Sequence, residues 1–233
     1  MNNNSELLNS CTPELLKTPR GVFITLEGPE GSGKSTHARL LKQRLESCGK
    51  TVLLTREPGG TPLGENIRGL LQHNHAGEPP VDRAEVMLFL ASRAQLCERV
   101  IRPALDAGTW VICDRFTDST LAYQGYGRGF DLTTLRALNA FATHDLIPDL
   151  TLLLDVSPET GLSRVNSRGL ATDRIEAAGA DFHRRLRDGF LQLAKDESDR
   201  FAVIDSNDTR ENVAARIWQA VSRQRINAAG RAT

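Results

Sequence analysis

Gly28-Pro29-Glu30-Gly31-Ser32-Gly33-Lys34-Ser35 follows the short apolar run Val22-Phe23-Ile24-Thr25-Leu26-Glu27 and opens a helical pattern over 34–47. The octapeptide matches G-x-x-x-x-G-K-[ST], and strand, loop and helix stand in the order that this pattern needs to cradle phosphates. Small glycines let backbone N–H groups close on the anion, and the helix N-terminus adds positive potential. Lys34 is placed to reach β and γ phosphates and Ser35 to give an oxygen to Mg²⁺. The expected ATP-binding set is Gly28, Pro29, Glu30, Gly31, Ser32, Gly33, Lys34, Ser35 and Thr36, with Mg²⁺ as cofactor. The motif alone shows only that a nucleoside triphosphate is bound, since switches, motors and small-molecule kinases share it.

Outward from this segment, apolar β-rich runs recur at 22–27, 51–55, 110–114, 149–155 and 201–205. Helical patterns near 34–47, 63–72, 82–107, 131–142, 158–166, 180–197 and 209–225 separate or follow them, and Pro103 is expected to bend the third. Alternation of this kind predicts βαβ units, hence one parallel five-stranded sheet with helices on both faces. Continuous Val/Ile/Leu runs fit strands covered on both sides. Glu27, Arg56, Asp114 and Asp155 fall at carboxyl ends of the runs, where open α/β sheets bind ligands.

A chain of 233 residues with 39% hydrophobic residues suits a single α/β domain. The predicted division is a loosely ordered extension at 1–20, a domain at 21–226 with a mobile lid about 164–177, and a tail at 227–233. Lys plus Arg (29) balances Asp plus Glu (29), which argues against nucleic acid and membrane surfaces as partners. No apolar stretch reaches the roughly 18 residues of a membrane span. Cys11, Cys48, Cys97 and Cys113 show no C-x-x-C pairing, which fits a reducing compartment and a cytoplasmic location.

Candidates for the acceptor side follow from residue type and spacing. Phe89 and Arg93 lie four apart on a predicted helix, so a ring and a guanidinium share one face that would suit a pyrimidine. Taken alone, such a pair is more often a core ring beside a solvated cation. Arg56 precedes the turn Pro58-Gly59-Gly60, which suits a bidentate grip on a monophosphate. Asp114-Arg115 ends a strand beside the phosphate loop, where one charge can sit on the acceptor phosphate and the carboxylate can work through the metal's water, making Asp114 a second metal candidate beside Ser35. Ser119, Thr120, Tyr123 and Gln124 recur at helical spacing and offer hydroxyls and an amide to one face.

These segments together resemble the bacterial thymidylate kinases from about Val22 to about Val221. The resemblance rests on the phosphate loop with its acidic Glu30, on Arg56-Glu57-Pro58-Gly59-Gly60-Thr61, on Phe89 to Gln95, on Asp114-Arg115-Phe116 through Ser119 to Tyr123-Gln124, and on Leu154-Asp155-Val156. It implies the three-layer α/β P-loop kinase fold and transfer of the γ-phosphoryl group of ATP to thymidylate (dTMP). It implies that Phe89 stacks on the base and Arg93 hydrogen-bonds it, that Tyr123 lies under a sugar without a 2′-hydroxyl, and that Glu30 faces sugar or metal. A homodimer packed through long helices also follows from the resemblance alone, as does an adenine site near Ser206 to Thr209.

Phosphoryl transfer demands converging positive charge. The variable positions of the phosphate loop carry no basic residue, so Lys34 and Arg115 need help from lid arginines, Arg164, Arg168 or Arg174. Arg168 aligns best with the catalytic arginine of the family, although Asn166 departs from the usual pattern. No side chain is required as a base, because the acceptor phosphate is already an anionic nucleophile. The rival readings are a kinase for another nucleoside monophosphate, a GTP-binding switch, and a P-loop motor. Phe89, Arg93 and the 120–124 face oppose the first. Absence of an Asn-Lys-x-Asp motif opposes the second, and neutral charge the third.

Overall fold

A computed structural model describes residues 20–72, 77–167 and 179–223. The N-terminal extension, the C-terminal tail and most of the expected lid, with Arg168 and Arg174, lie outside these residues.

Strands β1 (Phe23–Glu27), β2 (Val52–Arg56), β3 (Trp110–Asp114), β4 (Leu150–Asp155) and β5 (Phe201–Asp205) form one parallel sheet in the order β2-β3-β1-β4-β5. In register, Leu26 sits opposite Asp114 and Leu152, so the strand ends that carry polar residues align on one edge of the sheet. The central strand β1 is buried along its whole length, as a strand with neighbours on both sides and helices above and below must be.

The helices are α1 (Lys34–Ser47), α2 (Pro62–Gln72), α3 (Asp82–Leu96), α4 (Thr117–Thr120), α5 (Leu132–Thr143), α6 (Pro158–Asn166), α7 (Ala180–Asp196) and α8 (Arg210–Arg223), with a short helical piece, Arg102–Asp106, after α3. Alternation along β1 splits the core. Ile24 and Leu26 pack with Leu41 and Leu45 of α1 and Ile217 and Trp218 of α8. Phe23 turns to the opposite face and packs with Leu96, Ile101 and Phe116. A further cluster joins Leu90, Tyr123, Leu186 and Phe190 under α7.

The boundaries agree with the sequence periodicity to within a few residues, with two differences. The expected bend in the 82–107 helix is taken up by a π-helical segment, Cys97–Ile101, one turn ahead of Pro103, where the missing proline N–H frees a carbonyl. Thr117–Thr120 runs into a second π-helical segment, Leu121–Gly127. Cys97 and Cys113 are buried free thiols, whereas Cys48 is disulfide-bonded, which the scatter of cysteines did not foretell.

Candidate active site

A cavity of about 920 Å³ opens at the carboxyl edge of the sheet. It is lined by Lys34 and Ser35 at one end and by Phe89, Arg93, Thr120, Tyr123 and Gln124 at the other, with Arg115 between. Most of the sequence-predicted residues for both substrates thus fall around one space, but Gly28, Pro29, Ser32 and the expected adenine loop Ser206 to Thr209 are not part of its lining.

The phosphate loop is shaped by close backbone approaches. At Gly28, with φ 137°, a Cβ would stand 2.4 Å from the carbonyl oxygen of Leu154, and at Gly31 2.1 Å from that of Gly161, so both positions need glycine. Lys34 folds back and donates from Nζ to the carbonyls of Gly28 (2.9 Å) and Pro29 (2.7 Å) and to Ser32 Oγ (3.2 Å). Burial, with the Arg115 charge nearby, pushes the Lys34 ammonium down to about 8. Ser35 Oγ donates to Asp114 Oδ2. This pair of hard oxygens fits Mg²⁺, which takes one or two protein ligands and fills the rest of its shell with water and phosphate oxygens.

Arg115 occupies the left-handed region at φ 72°, a conformation that a non-glycine residue holds only when its surroundings impose it. They do so here. Its N–H donates to Leu26 O at 3.0 Å, and the next residue, Phe116, donates its N–H to the buried Glu27 Oε1 at 2.7 Å. Glu27 also accepts from Ser119 Oγ (2.6 Å), and Ser119 Oγ in turn accepts from Arg115 Nη1 at 3.2 Å. Burial first, and then the charge of Asp118, push the Glu27 carboxyl up to about 8. The guanidinium lies 4.9 Å from the Tyr123 ring and donates to Glu30 Oε1 at 3.1 Å. Tyr123 OH donates to the same oxygen. Burial raises the Glu30 carboxyl, but the charges of Arg115 and Lys34 outweigh it and hold it below its usual range.

Arg93, expected to hydrogen-bond the base, lines the cavity with its guanidinium already engaged. It is 1% exposed, and each of its five N–H groups has an acceptor. Nε and Nη2 donate to Glu57 Oε2 at 2.8 and 2.5 Å, Nη1 to Thr120 Oγ1 at 2.9 Å and Asn139 Oδ1 at 2.6 Å, and Nη2 also to Phe116 O at 3.1 Å. Phe89 shares the cavity wall with it, half-buried. Arg56 is exposed and donates to Glu65 Oε2 at 3.0 Å. Arg164 does not point freely from a lid: Nη1 donates to Ser206 O at 2.9 Å and Gly31 O at 3.4 Å, tying α6 to the phosphate loop. Asp155 is held bidentately by Arg187.

Sequence reasoning placed Glu27 at a strand end without giving it a role, and missed Glu57, Glu85, Asn139 and His183. Glu57 lies inside a segment already singled out, flanked by Arg56 and Pro58, so its carboxylate was a readable signal. His183 is 3% exposed, with Nδ1 3.9 Å from Glu30 Oε2. Nothing in its local sequence marks it, because the contact joins α7 to a loop far away in the chain.

The thymidylate kinase family model matches residues 26–217. This chain belongs to the thymidylate kinase family. It is 54% identical to the thymidylate kinase of Carboxydothermus hydrogenoformans over 194 residues, covering 83% of this chain and 93% of that protein. It is 50% identical to that of Deinococcus radiodurans over 203 residues, 87% of this chain and 97% of the other. Among solved structures, the thymidylate kinase from Ehrlichia chaffeensis superposes with a TM-score of 0.71 at 34% identity, covering 87% of this chain and all of that one. Family membership accounts for a cavity that joins a phosphate loop at one end to an aromatic, amide-bearing end at the other.

Proposed function

We propose that this member of the thymidylate kinase family transfers the γ-phosphoryl group of ATP to dTMP, giving dTDP and ADP, within one domain spanning about 21–226. The observation that carries the reading is the placement of Arg115. It stands between the phosphate loop, through Gly28 O, and the acceptor end, through Glu30 and Tyr123. A cation there can follow the phosphoryl group from donor to acceptor, which is where negative charge must be stabilised.

In this reading Lys34 holds the β and γ phosphates. It gives up backbone carbonyls for phosphate oxygens, since hydrogen bonds to an ionised acceptor are roughly twice as strong as neutral ones. Ser35 and Asp114 hold Mg²⁺, which when bound neutralises charge on the phosphate oxygens. Phe89 offers a face to the base, Thr120 and Gln124 its edge, and Tyr123 the wall beneath the sugar. Arg56 grips the acceptor phosphate. Arg93, with its donors committed to Glu57, Thr120 and Asn139, acts first by fixing that wall. Arg168 or Arg174 of the lid completes the positive charge.

The protein works in the cytoplasm and as a homodimer. Leu63 and Leu70 of α2 and Met87 of α3 support the dimer, since all are large, apolar and more than 40% exposed on neighbouring helices. No helix among the described residues is long and apolar enough to cross a membrane.

The test is ADP release from Mg-ATP with each common nucleoside monophosphate in turn and with none. Fast turnover with thymidylate alone is the expected result. Preference for another monophosphate would keep the phosphate chemistry and remove the base-site roles, and equal ADP release without acceptor would overturn the transfer reaction.

A further inference from the structure

Glu85 and Gln124 form a pair that the phosphate chemistry does not use. Glu85 on α3 is fully buried and Gln124 is 2% exposed, yet both line the cavity beside Phe89 and Thr120. Gln124 Nε2 donates to Glu85 Oε1 at 3.0 Å. Arg128 Nη2 donates to Glu85 Oε2 at 3.2 Å, while its Nη1 pairs with Asp82. A carboxylate paired with arginine accepts hydrogen bonds and does not donate them. Only the NH₂ end of the Gln124 amide can therefore face Glu85, and its carbonyl Oε1 must turn the other way. Among the described residues no group donates to that oxygen.

We propose that Glu85 is a positioning residue that fixes the amide orientation of Gln124, and that this orientation makes the pocket select a pyrimidine whose ring nitrogen between two carbonyls carries a proton. The inference rests on the reading that this end of the cavity takes the acceptor's base. A thymine or uracil ring presents an N–H that donates to Gln124 Oε1. A cytosine ring presents a lone pair at the same position, so two acceptors would face each other. Rotating the amide would relieve that clash in a free glutamine. Here rotation would let the NH₂ donate to the cytosine lone pair only by giving up Glu85 Oε1 and pressing Oε1 against the Glu85 carboxylate, so the wrong base stays rejected through a repulsive element.

The experiment uses the full-length enzyme and kcat/KM for thymidylate, deoxyuridylate and deoxycytidylate. Sites that hydrogen-bond a polar group reject analogues lacking it by about 10⁴. In Glu85→Gln the new amide can donate to a rotated Gln124, and the thymidylate-to-deoxycytidylate ratio should fall by about 30-fold or more. The thymidylate-to-deoxyuridylate ratio should stay within about threefold, because both bases carry the same ring N–H; a merely loosened pocket would lower it too. Retention of the deoxycytidylate ratio by folded Glu85→Gln overturns the inference. Should that variant not fold by circular dichroism, Glu85→Leu, which leaves Arg128 its Asp82 partner, carries the same test in the same direction. Gln124→Leu separates the inference from the reading beneath it. If the deoxycytidylate ratio survives Gln124→Leu, the base does not sit at this amide and both fall. If it collapses there while Glu85→Gln keeps it, the base site stands and the role of Glu85 alone is refuted.

Discussion

Replacing Glu57 by alanine removes the carboxylate that pairs with Arg93, the only such partner among the described residues, and the structure allows the cost to be worked out. Both groups are almost wholly excluded from solvent, at 1% and 3% side-chain exposure, and Glu57 accepts two of the five N–H groups of Arg93 through one oxygen. The pair is no source of net stability by itself, since burying two charges costs about as much as their attraction returns. Burial raises the Glu57 carboxyl even though the Arg93 charge pulls it down, which is the same balance seen from one partner. Removing one member is different. The guanidinium keeps Thr120, Asn139 and Phe116 O but loses its counter-charge, and an uncompensated buried charge costs about 3–5 kcal/mol. For a chain of this size each kcal/mol lowers Tm by about 2–4 °C, so Glu57→Ala should melt about 6–20 °C below the parent protein.

Differential scanning calorimetry measures the loss, and Glu57→Gln, which keeps an acceptor oxygen but not the charge, should fall between the two. The double variant Glu57→Leu with Arg93→Met should recover most of the lost stability, because it buries apolar groups where a charge would be stranded. A drop below about 3 °C in Glu57→Ala would refute the reasoning, for it would mean that water or a moved side chain neutralises Arg93 at almost no cost.

Three further outcomes follow from the site. For Lys34, pushed down to about 8, kcat/KM for ATP should fall tenfold per pH unit above that value as the free enzyme loses the proton, and its contribution to stability should grow from pH 8 toward the ordinary lysine value, since the unfolded chain binds one more proton there; a flat kcat/KM profile to pH 10 would contradict this. Glu27 carries the opposite sign: with a carboxyl raised to about 8, the folded state holds a proton that the unfolded chain has lost above the ordinary value of 4.5, so the contribution is present below that value and lost as pH rises to 8. Urea melts of Glu27→Gln should show a stability relative to the parent that rises from pH 5 to pH 8, and a constant difference would refute the shift. Asp114→Asn should raise the Mg²⁺ concentration for half-maximal turnover by about 10–100-fold, read from a metal titration at saturating nucleotide, and an unchanged midpoint would remove Asp114 from the metal's surroundings.

The sheet and its order of helices were legible because their signals are local. Apolar runs of strand length, helical periodicity and the glycine pattern of 28–33 each act within one or two turns of chain. The phosphate half of the site was legible for the same reason, since loop, Lys34 and Ser35 are neighbours in sequence. The acceptor half was legible only as residue types on faces. Phe89, Thr120, Tyr123 and Gln124 do meet at one cavity, but their partners come from distant segments. Glu57 reaches Arg93 across 36 positions, Asn139 across 46, and Glu27 meets Ser119 across 92. Periodicity carries no information about such pairings, so the widened π-helical turn at 121–127 and the fates of individual arginines stayed hidden.

Those fates separate according to what each cation meets. Lys34 rests on neutral oxygens, two carbonyls and a hydroxyl. Arg115 divides its donors among Gly28 O, Ser119 Oγ and one oxygen of Glu30. A phosphate oxygen can outbid a carbonyl or hydroxyl, because a charged acceptor forms the stronger bond and the released carbonyl needs only a modest replacement. Lys34, and Arg115 at Gly28 O and Ser119 Oγ, are therefore held by contacts weak enough to exchange, while Glu30 anchors Arg115 through a charged bond, an arrangement that suits the proposed transfer. Arg93 instead gives two donors to a buried carboxylate, and no incoming neutral base carbonyl can displace that partner without stranding Glu57. It is held in place by the stronger bond, and a base can use it only by sharing an N–H already given to Thr120 or Asn139. Arg164, spent on two backbone carbonyls, belongs with Lys34 in the strength of its contacts, but it is directed at the loop backbone of Gly31 and Ser206. The same residue type thus serves as exchangeable charge, fixed wall and backbone tie, and the acceptor oxygens assign the role.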